Sequence, residues 1–588
     1  MPVLQFKGKT AVENYHHTVP HHRLEFDAKL SLLPKGERPS LGGNLIIEGD
    51  NLLALKALLP THAGKVKCIY IDPPYNTGNE GWVYNDNLTQ PQFKEWIGKT
   101  VGKEGEDACR HDKWCCMIYP RLTLLKELLR EDGAIFASID DNELMNLLQI
   151  MTEVFGAENQ FGTIVIEVNP RGRRLGTDLA VEHEYLVGWA KCISKFNPGR
   201  QPLTDEQLAE FTELDAKGRR CRLLGLRKRG ALSRRQDRPN LCFPIYVDPS
   251  TNAVTVEPSK GRIKVLPKLS NGDDGVWRWQ KSKVAKDANE LVARQVKRKE
   301  TGKVEWDIFQ LDASVNESGD EKGRIFPSIW QGSEFNNETG RDQLRALFGG
   351  PPFDYPKPVG LVKAVLRLFG DTDALILDSF SGSGTTGQAV LEMNHQDDGS
   401  RRFVLVQQPF DTVVEIERNF NVCREVTAER VRRSAKGTTS FEGLGGSFTY
   451  ARVGEPLFGE YRDLGKKLPH WETLARYIFY TETSRDCDSK RLNQQTGFIG
   501  EVGPHPQPLS RGERGGGGGT SYYLLYTPDD REDREVSLKW LDQTLKRDKN
   551  REWVIYTERI WWHQEDLRQW EREHGRRVRA MIVPFNLK

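Results

Sequence analysis

The chain has 588 residues, 37% of them hydrophobic and 29% charged, which suits two to four globular domains with a polar surface. No apolar run approaches the roughly 18 residues of a membrane helix, and Met1–Thr10 carries no signal-peptide core. The nine cysteines form no Cys-x-x-Cys pair, which argues against a disulfide framework and for reduced thiols in the cytoplasm.

In chain order, residues 1–43 are polar and broken by Pro and Gly, and read as an N-terminal arm. His16, His17, His21 and His22 cluster there around Pro20 without a cysteine or acid at ligand spacing, so no metal is expected. Regular texture begins at 44–195: a strand at 44–48, a helix at 52–59, a strand at 66–71, a helix at 120–130 stopped by Asp132-Gly133, and strands at 134–139, 161–168 and 185–190. Residues 196–325 are rich in charge, Pro and Gly and read as an inserted domain, with a short strand at 243–247. Trp277-Arg278-Trp279 reads as a packing element or a recognition element of that insert, packing being favoured. The α/β alternation resumes at 326–435, with a strand at 374–377, a helix after Gly384, a strand at 403–406 and a helical stretch at 412–433. A C-terminal α/β module is expected over 453–588, with a helix at 468–480 and a β-α-β-α-β series from 521 to 583. The Pro- and Gly-rich stretch 503–519 reads as a flexible loop. This pattern predicts a doubly wound, Rossmann-like sheet with ligands at the carboxyl ends of its strands.

The net charge of +2 is uninformative, but its distribution is not. Arg219, Arg222, Arg227, Lys228, Arg229, Arg234 and Arg235 crowd a stretch with one acid, Asp237, as a footprint for phosphates would. Two strand ends carry chemistry. The strand at 66–71 runs into Asp72-Pro73-Pro74-Tyr75. Two prolines remove backbone donors and fix φ, leaving an acceptor-only wall beside a flat ring. A carboxylate and a backbone carbonyl can each accept one N–H of an amino group on a nucleobase. The nitrogen is then drawn toward tetrahedral geometry and its lone pair freed, while the ring offers a stacking face. The strand at 374–377 runs into Asp378-Ser379-Phe380-Ser381-Gly382-Ser383-Gly384-Thr385-Thr386, a glycine turn at a helix start that lets a ligand approach the backbone. No G-K-[ST] follows, so it is not a P-loop.

With these motifs the chain resembles the β-group amino methyltransferases of DNA, in which D-P-P-Y precedes a target-recognition domain and F-x-G-x-G follows it. The resemblance is closer to the Mod subunits of type III restriction-modification systems and related phage-defence methylases. Asn44-Leu-Ile-Ile-Glu-Gly-Asp-Asn-Leu-Leu53, Gly133-Ala-Ile-Phe-Ala-Ser-Ile-Asp-Asp141, His183-Glu-Tyr185 and Phe353-Asp-Tyr-Pro-Lys-Pro358 support it. It implies that Asp72 and the Pro73 carbonyl bind the target amine, with Pro74 completing the wall, and that Tyr75 stacks on a flipped base. Asp378, Phe380, Ser381, Gly382 and Gly384 are implied to line an S-adenosylmethionine pocket, with Asp50 at its adenine, Lys357 beside it and Thr385 at its methionine part. The family's ribose-binding acid is missing from its simplest place, since Val406 is followed by Gln407-Gln408, with Asp411 later. The aspartate form of the motif favours adenine N6. The resemblance further implies double-stranded DNA as substrate, a homodimer and a helicase-nuclease or other defence-system partner. The alternative is a DNA-recognition subunit with weak or lost methyl transfer.

Overall fold

The computed structural model describes residues 4–77, 107–172, 179–269, 271–297, 302–315, 323–350, 352–457, 470–483, 485–503, 519–526, 535–562 and 564–583. They divide into two compact units, one spanning 200–326 and the other the remainder. The expected loop at 503–519 falls almost wholly outside the described residues.

The larger unit is built on ten strands: β1 (His22–Phe26), β2 (Leu45–Glu48), β3 (Val66–Ile71), β4 (Leu129–Ile139), β5 (Gln160–Glu167), β6 (His183–Ala190), β7 (Ile329–Trp330), β8 (Leu375–Asp378), β9 (Arg402–Gln407) and β10 (Thr449–Pro456). They lie in the order β1-β10-β2-β9-β8-β3-β4-β6-β5-β7. From β10 to β4 every neighbouring pair is parallel, while β6 runs antiparallel to both β4 and β5. Every residue of β3 and β8 is buried, because helices cover both faces of a parallel sheet; hence their unbroken apolar reading. Helices Asn51–His62, Asp107–Leu128 and Leu144–Phe155 pack together on one side. Val359–Arg367, Thr385–Asp397 and Glu429–Lys436 belong to a second group. The chain leaves β3 toward β4 on one side and β8 toward β9 on the other. The crevice between β3 and β8 is therefore the point where the winding reverses, where ligands of such sheets bind.

Three segments differ from the sequence reading. The polar arm supplies β1, which pairs with β10, and short helices Lys9–Val12 and Tyr15–Thr18. Its strand was hidden because an edge strand of half-exposed residues has no clean alternation. The helix expected to reach residue 130 ends at Leu128, and β4 begins at once, running through Gly133. There a Cβ would meet the Lys67 carbonyl at 2.8 Å, so the glycine serves close strand contact. The stretch expected as one helix over 412–433 is a helix at Val413–Arg418, a left-handed Asn419 (φ 50°), a π-helix at Cys423–Ala428 and a helix at Glu429–Lys436.

The C-terminal strands Phe498–Val502, Thr520–Leu525, Glu552–Thr557 and Arg577–Ile582 form their own sheet, the last three parallel. Helix Trp471–Thr483 contributes to the core on one face, and Leu538–Leu545 and Gln564–His574 to the core on the other. The smaller unit holds a four-stranded sheet made of Leu291–Lys297, Val304–Ala313, Arg220–Gly225 and Glu213–Leu214, with a three-stranded sheet around Ile245–Val247. Trp277 and Trp279 are buried in its core, and the Trp277 indole donates to the Phe243 carbonyl at 2.8 Å. This pair packs.

Candidate active site

The registers Ile376 with Cys68 and Leu377 with Ile69 put β8 directly beside β3. Asp72 and Asp378, about three hundred residues apart in sequence, thus emerge at the same edge of the sheet. The two corners are built differently.

The corner after β3 is clamped from outside. Trp114 Nε1 donates to the Pro74 carbonyl at 2.7 Å. Asn76 turns left-handed (φ 57°) and donates to the fully buried Glu143, which His111 Nδ1 also approaches at 2.7 Å. The Pro73 carbonyl accepts no hydrogen bond from the described residues. Asp72 Oδ1 is sealed from solvent and accepts no well-aligned hydrogen bond, although the Lys357 ammonium stands 3.4 Å away and it and the Tyr75 hydroxyl both draw the carboxyl downward. Two acceptors are thus left open side by side, as the sequence argument requires of an amine-binding wall. An unmade hydrogen bond at a buried acceptor costs on the order of 1–3 kcal/mol, which a bound N–H would recover.

Around that wall stands a cluster that sequence reasoning did not assemble. Tyr75 donates its hydroxyl to Glu184 Oε2 at 2.9 Å. Lys357 Nζ donates to Glu184 Oε2 and to the Tyr75 hydroxyl, both at 2.5 Å, and lies 4.8 Å from the centre of the Tyr75 ring. Asn337 Nδ2 reaches Glu184 Oε1 at 3.4 Å. Burial pushes the Asp72 carboxyl up; the Lys357 charge opposes this and the Glu184 charge adds to it, leaving it above the usual range. Burial also acts to raise Glu184, but Lys357 outweighs it and holds that carboxyl below its usual range. Lys357, implied by the resemblance to lie beside the cofactor, has its side chain in the amine corner. Glu184 lies in the quoted His183-Glu-Tyr185 segment, but only the antiparallel insertion of β6 beside β4 reveals its role.

The corner after β8 is built from within. Asp378 accepts from Phe380 N at 3.0 Å and from Thr386 Oγ1 at 2.5 Å, and burial pushes its carboxyl up to about 7. Both oxygens are therefore spent on holding the turn. Ser381 Oγ and N both donate to the Val406 carbonyl, at 2.9 and 3.2 Å. Gly384 takes the left-handed conformation (φ 79°) and leaves no room for a Cβ, which would meet the Thr427 carbonyl at 2.8 Å. That carbonyl is placed by the π-helix, whose Thr427 Oγ1 also donates to Gly382 O at 2.6 Å. Such turns recur at functional sites. Thr385 Oγ1 donates to the Lys357 carbonyl at 3.0 Å and accepts from the buried Arg430 at 2.6 Å. A Cβ built on Gly382 (φ 46°) would touch only the Phe353 ring, at 3.4 Å, so one side of the turn is open floor beside an aromatic wall. Phe380 is buried.

Gln407, at the end of β9, accepts from Gly382 N at 2.8 Å and donates to Asp411 Oδ1 at 2.8 Å; Gln408 Nε2 donates to the same oxygen at 3.0 Å. Burial raises the Asp411 carboxyl to about 6. The acid at this strand end is Asp411, reached through two amides. Asp50 caps helix Asn51–His62, accepting from Leu52 N at 2.9 Å and Leu53 N at 3.2 Å, and pairs with Arg121 at 3.2 Å.

In the smaller unit the basic residues separate. Arg219 pairs with Asp215 at 2.7 Å, Arg222 with Asp312 at 2.9 Å and Glu210 at 2.8 Å, and Arg235 with Asp274 at 3.0 Å. Arg227 donates to the Lys268 carbonyl. Among the described residues, the side chains of Lys228, Arg229 and Arg234 form no ion pair, and the two arginines are exposed.

The Asp72-Pro73 corner thus stands one strand away from the glycine turn. A DNA methylase family model of N6/N4 type matches residues 66–427, and the chain belongs to that family: it is a DNA methyltransferase. It is 30% identical over 458 residues to the type III restriction-modification enzyme EcoPI Mod subunit of Escherichia phage P1, covering 75% of this chain and 68% of that one. It is 34% identical over 364 residues to the type II methyltransferase M.KpnI of Klebsiella pneumoniae, covering 61% and 79%. A DNA modification methylase of Thermus thermophilus, solved with S-adenosyl-L-methionine, aligns over 70% of this chain and 98% of its own at 13% identity, with a TM-score of 0.28. That likeness is too loose to add to the family match.

Proposed function

We propose that this enzyme transfers a methyl group from S-adenosylmethionine to N6 of an adenine flipped out of double-stranded DNA, as the modification component of a restriction or phage-defence system. The observation that carries the reading is the pair of open acceptors, Asp72 Oδ1 and the Pro73 carbonyl, one strand away from the glycine turn. S-adenosylmethionine supplies a methyl carbon on a positively charged sulfur, and the open floor at Gly382, with Phe353, Phe380 and Thr385 around it, fits that group. Asp72 and Pro73 each accept one N–H of the adenine amine, so the nitrogen lone pair is released from the ring and directed at the methyl carbon. The bound cofactor would supply the methyl carbon and its sulfur would take the electron pair of the broken S–C bond, while Asp72 and Pro73 hold the amine toward that carbon. The nitrogen then sheds one proton, and the Asp72 carboxylate is the base in contact with it. Tyr75 supplies the stacking face. Asp378, Asp411 and Arg430 shape the turn.

Adenine rather than cytosine follows from the aspartate form of the motif. Phosphates are met by Lys228, Arg229 and Arg234, which the fold leaves unspent. As the resemblance to Mod subunits implies, the enzyme forms a homodimer and works with a separate helicase-nuclease subunit. Expression in a methylation-free bacterial host followed by methylome sequencing tests this. The expected result is N6-methyladenine in one sequence context. N4-methylcytosine, or an unmodified genome, would overturn it.

A further inference from the structure

The largely buried corner contains two carboxylates and one ammonium. Asp72 Oδ1 is 3.4 Å and Glu184 Oε2 2.5 Å from Lys357 Nζ, and the three belong to different parts of the chain: the end of β3, strand β6 and the loop before helix Val359–Arg367. Two carboxylates sharing so dry a space cannot both stay ionised unless a cation joins them. The remaining groups facing Asp72 give no help. Tyr70 and Tyr75 are phenols that burial and the nearby carboxylates keep neutral, Asp378 is an acid that burial pushes upward, and so is Asp140, which faces Glu184. Lys357 is thus the cation of the corner among the described residues, and burial notwithstanding, its two carboxylate neighbours hold it in the charged form.

We propose that Lys357 is a positioning residue for methyl transfer: with Glu184 as its anchor, it keeps Asp72 ionised, so that Oδ1 accepts the target N–H instead of presenting an O–H of its own. The point rests on the reading of Asp72 as the amine acceptor and extends it to the residues that set its charge. Glu184 holds the ammonium by the shorter contact, while Asp72 keeps the looser one and so keeps an oxygen for substrate. A protonated Asp72 would be a donor facing a donor, and the amine would lose one of its two acceptors. The sign follows: transfer requires the ionised carboxylate, so the rate rises with pH through the Asp72 titration. Removing Lys357 raises that titration, and removing the Glu184 charge lowers it.

The test is the pH dependence of methyl transfer from labelled S-adenosylmethionine to unmethylated bacterial chromosomal DNA. The enzymes compared are wild type, Lys357→Met, Lys357→Arg, Glu184→Gln and the Glu184→Gln/Lys357→Met double variant. Lys357→Met is expected to displace the acidic limb upward by about one unit or more. Lys357→Arg should keep the limb near that of wild type, and the double variant should bring it back down. An acidic limb of Lys357→Met coincident with wild type overturns the proposal. A raised KM for S-adenosylmethionine with an unmoved limb does so too, and would return Lys357 to the cofactor. If circular dichroism shows that Lys357→Met does not fold, Glu184→Gln decides: its limb should move downward, and a limb that stays or moves upward refutes the account. Failure of wild type to label DNA at any pH would instead refute the proposed function.

Discussion

Asp72, half-buried, and Asp378, buried, stand at the ends of adjacent parallel strands, both pushed toward higher pKa. Yet Asp378 spends both oxygens on its own loop, whereas Asp72 leaves Oδ1 sealed and without a well-aligned hydrogen bond. The first builds a turn and the second waits for a partner. The same division runs through the basic segment of the smaller unit, where Arg219, Arg222 and Arg235 answer acids and Lys228, Arg229 and Arg234 do not. Groups satisfied within the chain hold shape, and under the proposed function the groups left open take the substrate.

The division can be broken at several points. Tyr75→Ala should have the largest effect after loss of Asp72, about ten- to a hundredfold in methyl transfer, because a base stack is worth about 1–3 kcal/mol. Tyr75→Phe keeps the face and should lose much less, both read as initial rates on DNA. Gly384→Ala forces a Cβ against the Thr427 carbonyl at a left-handed φ. It should cost about 1–3 kcal/mol of stability and weaken S-adenosylmethionine binding, as thermal melts and calorimetry would show. Replacing Lys228, Arg229 and Arg234 by Gln should flatten the dependence of DNA affinity on salt by about 0.9 per lost phosphate contact with an unchanged melting temperature. Arg222→Gln should do the reverse, lowering the melt without changing the slope.

The smallest expected effect lies at the N-terminal segment. Burial lowers His16 and His62 to about 4 and His21 to about 3, and His21 packs edge-on against Tyr477 at 4.7 Å. These rings are neutral in the fold. The unfolded chain takes up their protons first, so their stability contribution is intact above about pH 6.5 and lost as pH falls toward 3–4. His21→Phe should flatten the melting temperature between those values. An unchanged pH profile would show that this packing is not what resists acid.

The two corners were legible in the sequence because each is a contiguous motif following a fully buried strand. Their adjacency was legible only through the resemblance, since β8 and β3 are joined by the sheet order and not by spacing. Glu184 and Arg430 could not be placed, because each acts from a strand or helix whose own periodicity only says which face is buried. Gln407 read as a missing acid, and the fold shows that Gln407 and Gln408 hold Asp411, four residues on, with their amides. The left-handed Asn419 and the π-turn that follows broke a stretch with the apolar pattern of one helix.

The most direct test compares Asp72→Asn with Asp378→Asn, measuring single-turnover formation of N6-methyladenine on pre-bound DNA together with the melting temperature of each. Asp72→Asn should transfer methyl at least about a hundredfold more slowly at an undiminished melting temperature, and Asp378→Asn should lower the melt while retaining transfer once S-adenosylmethionine is saturating. Methyl transfer by Asp72→Asn at the wild-type rate would contradict the account.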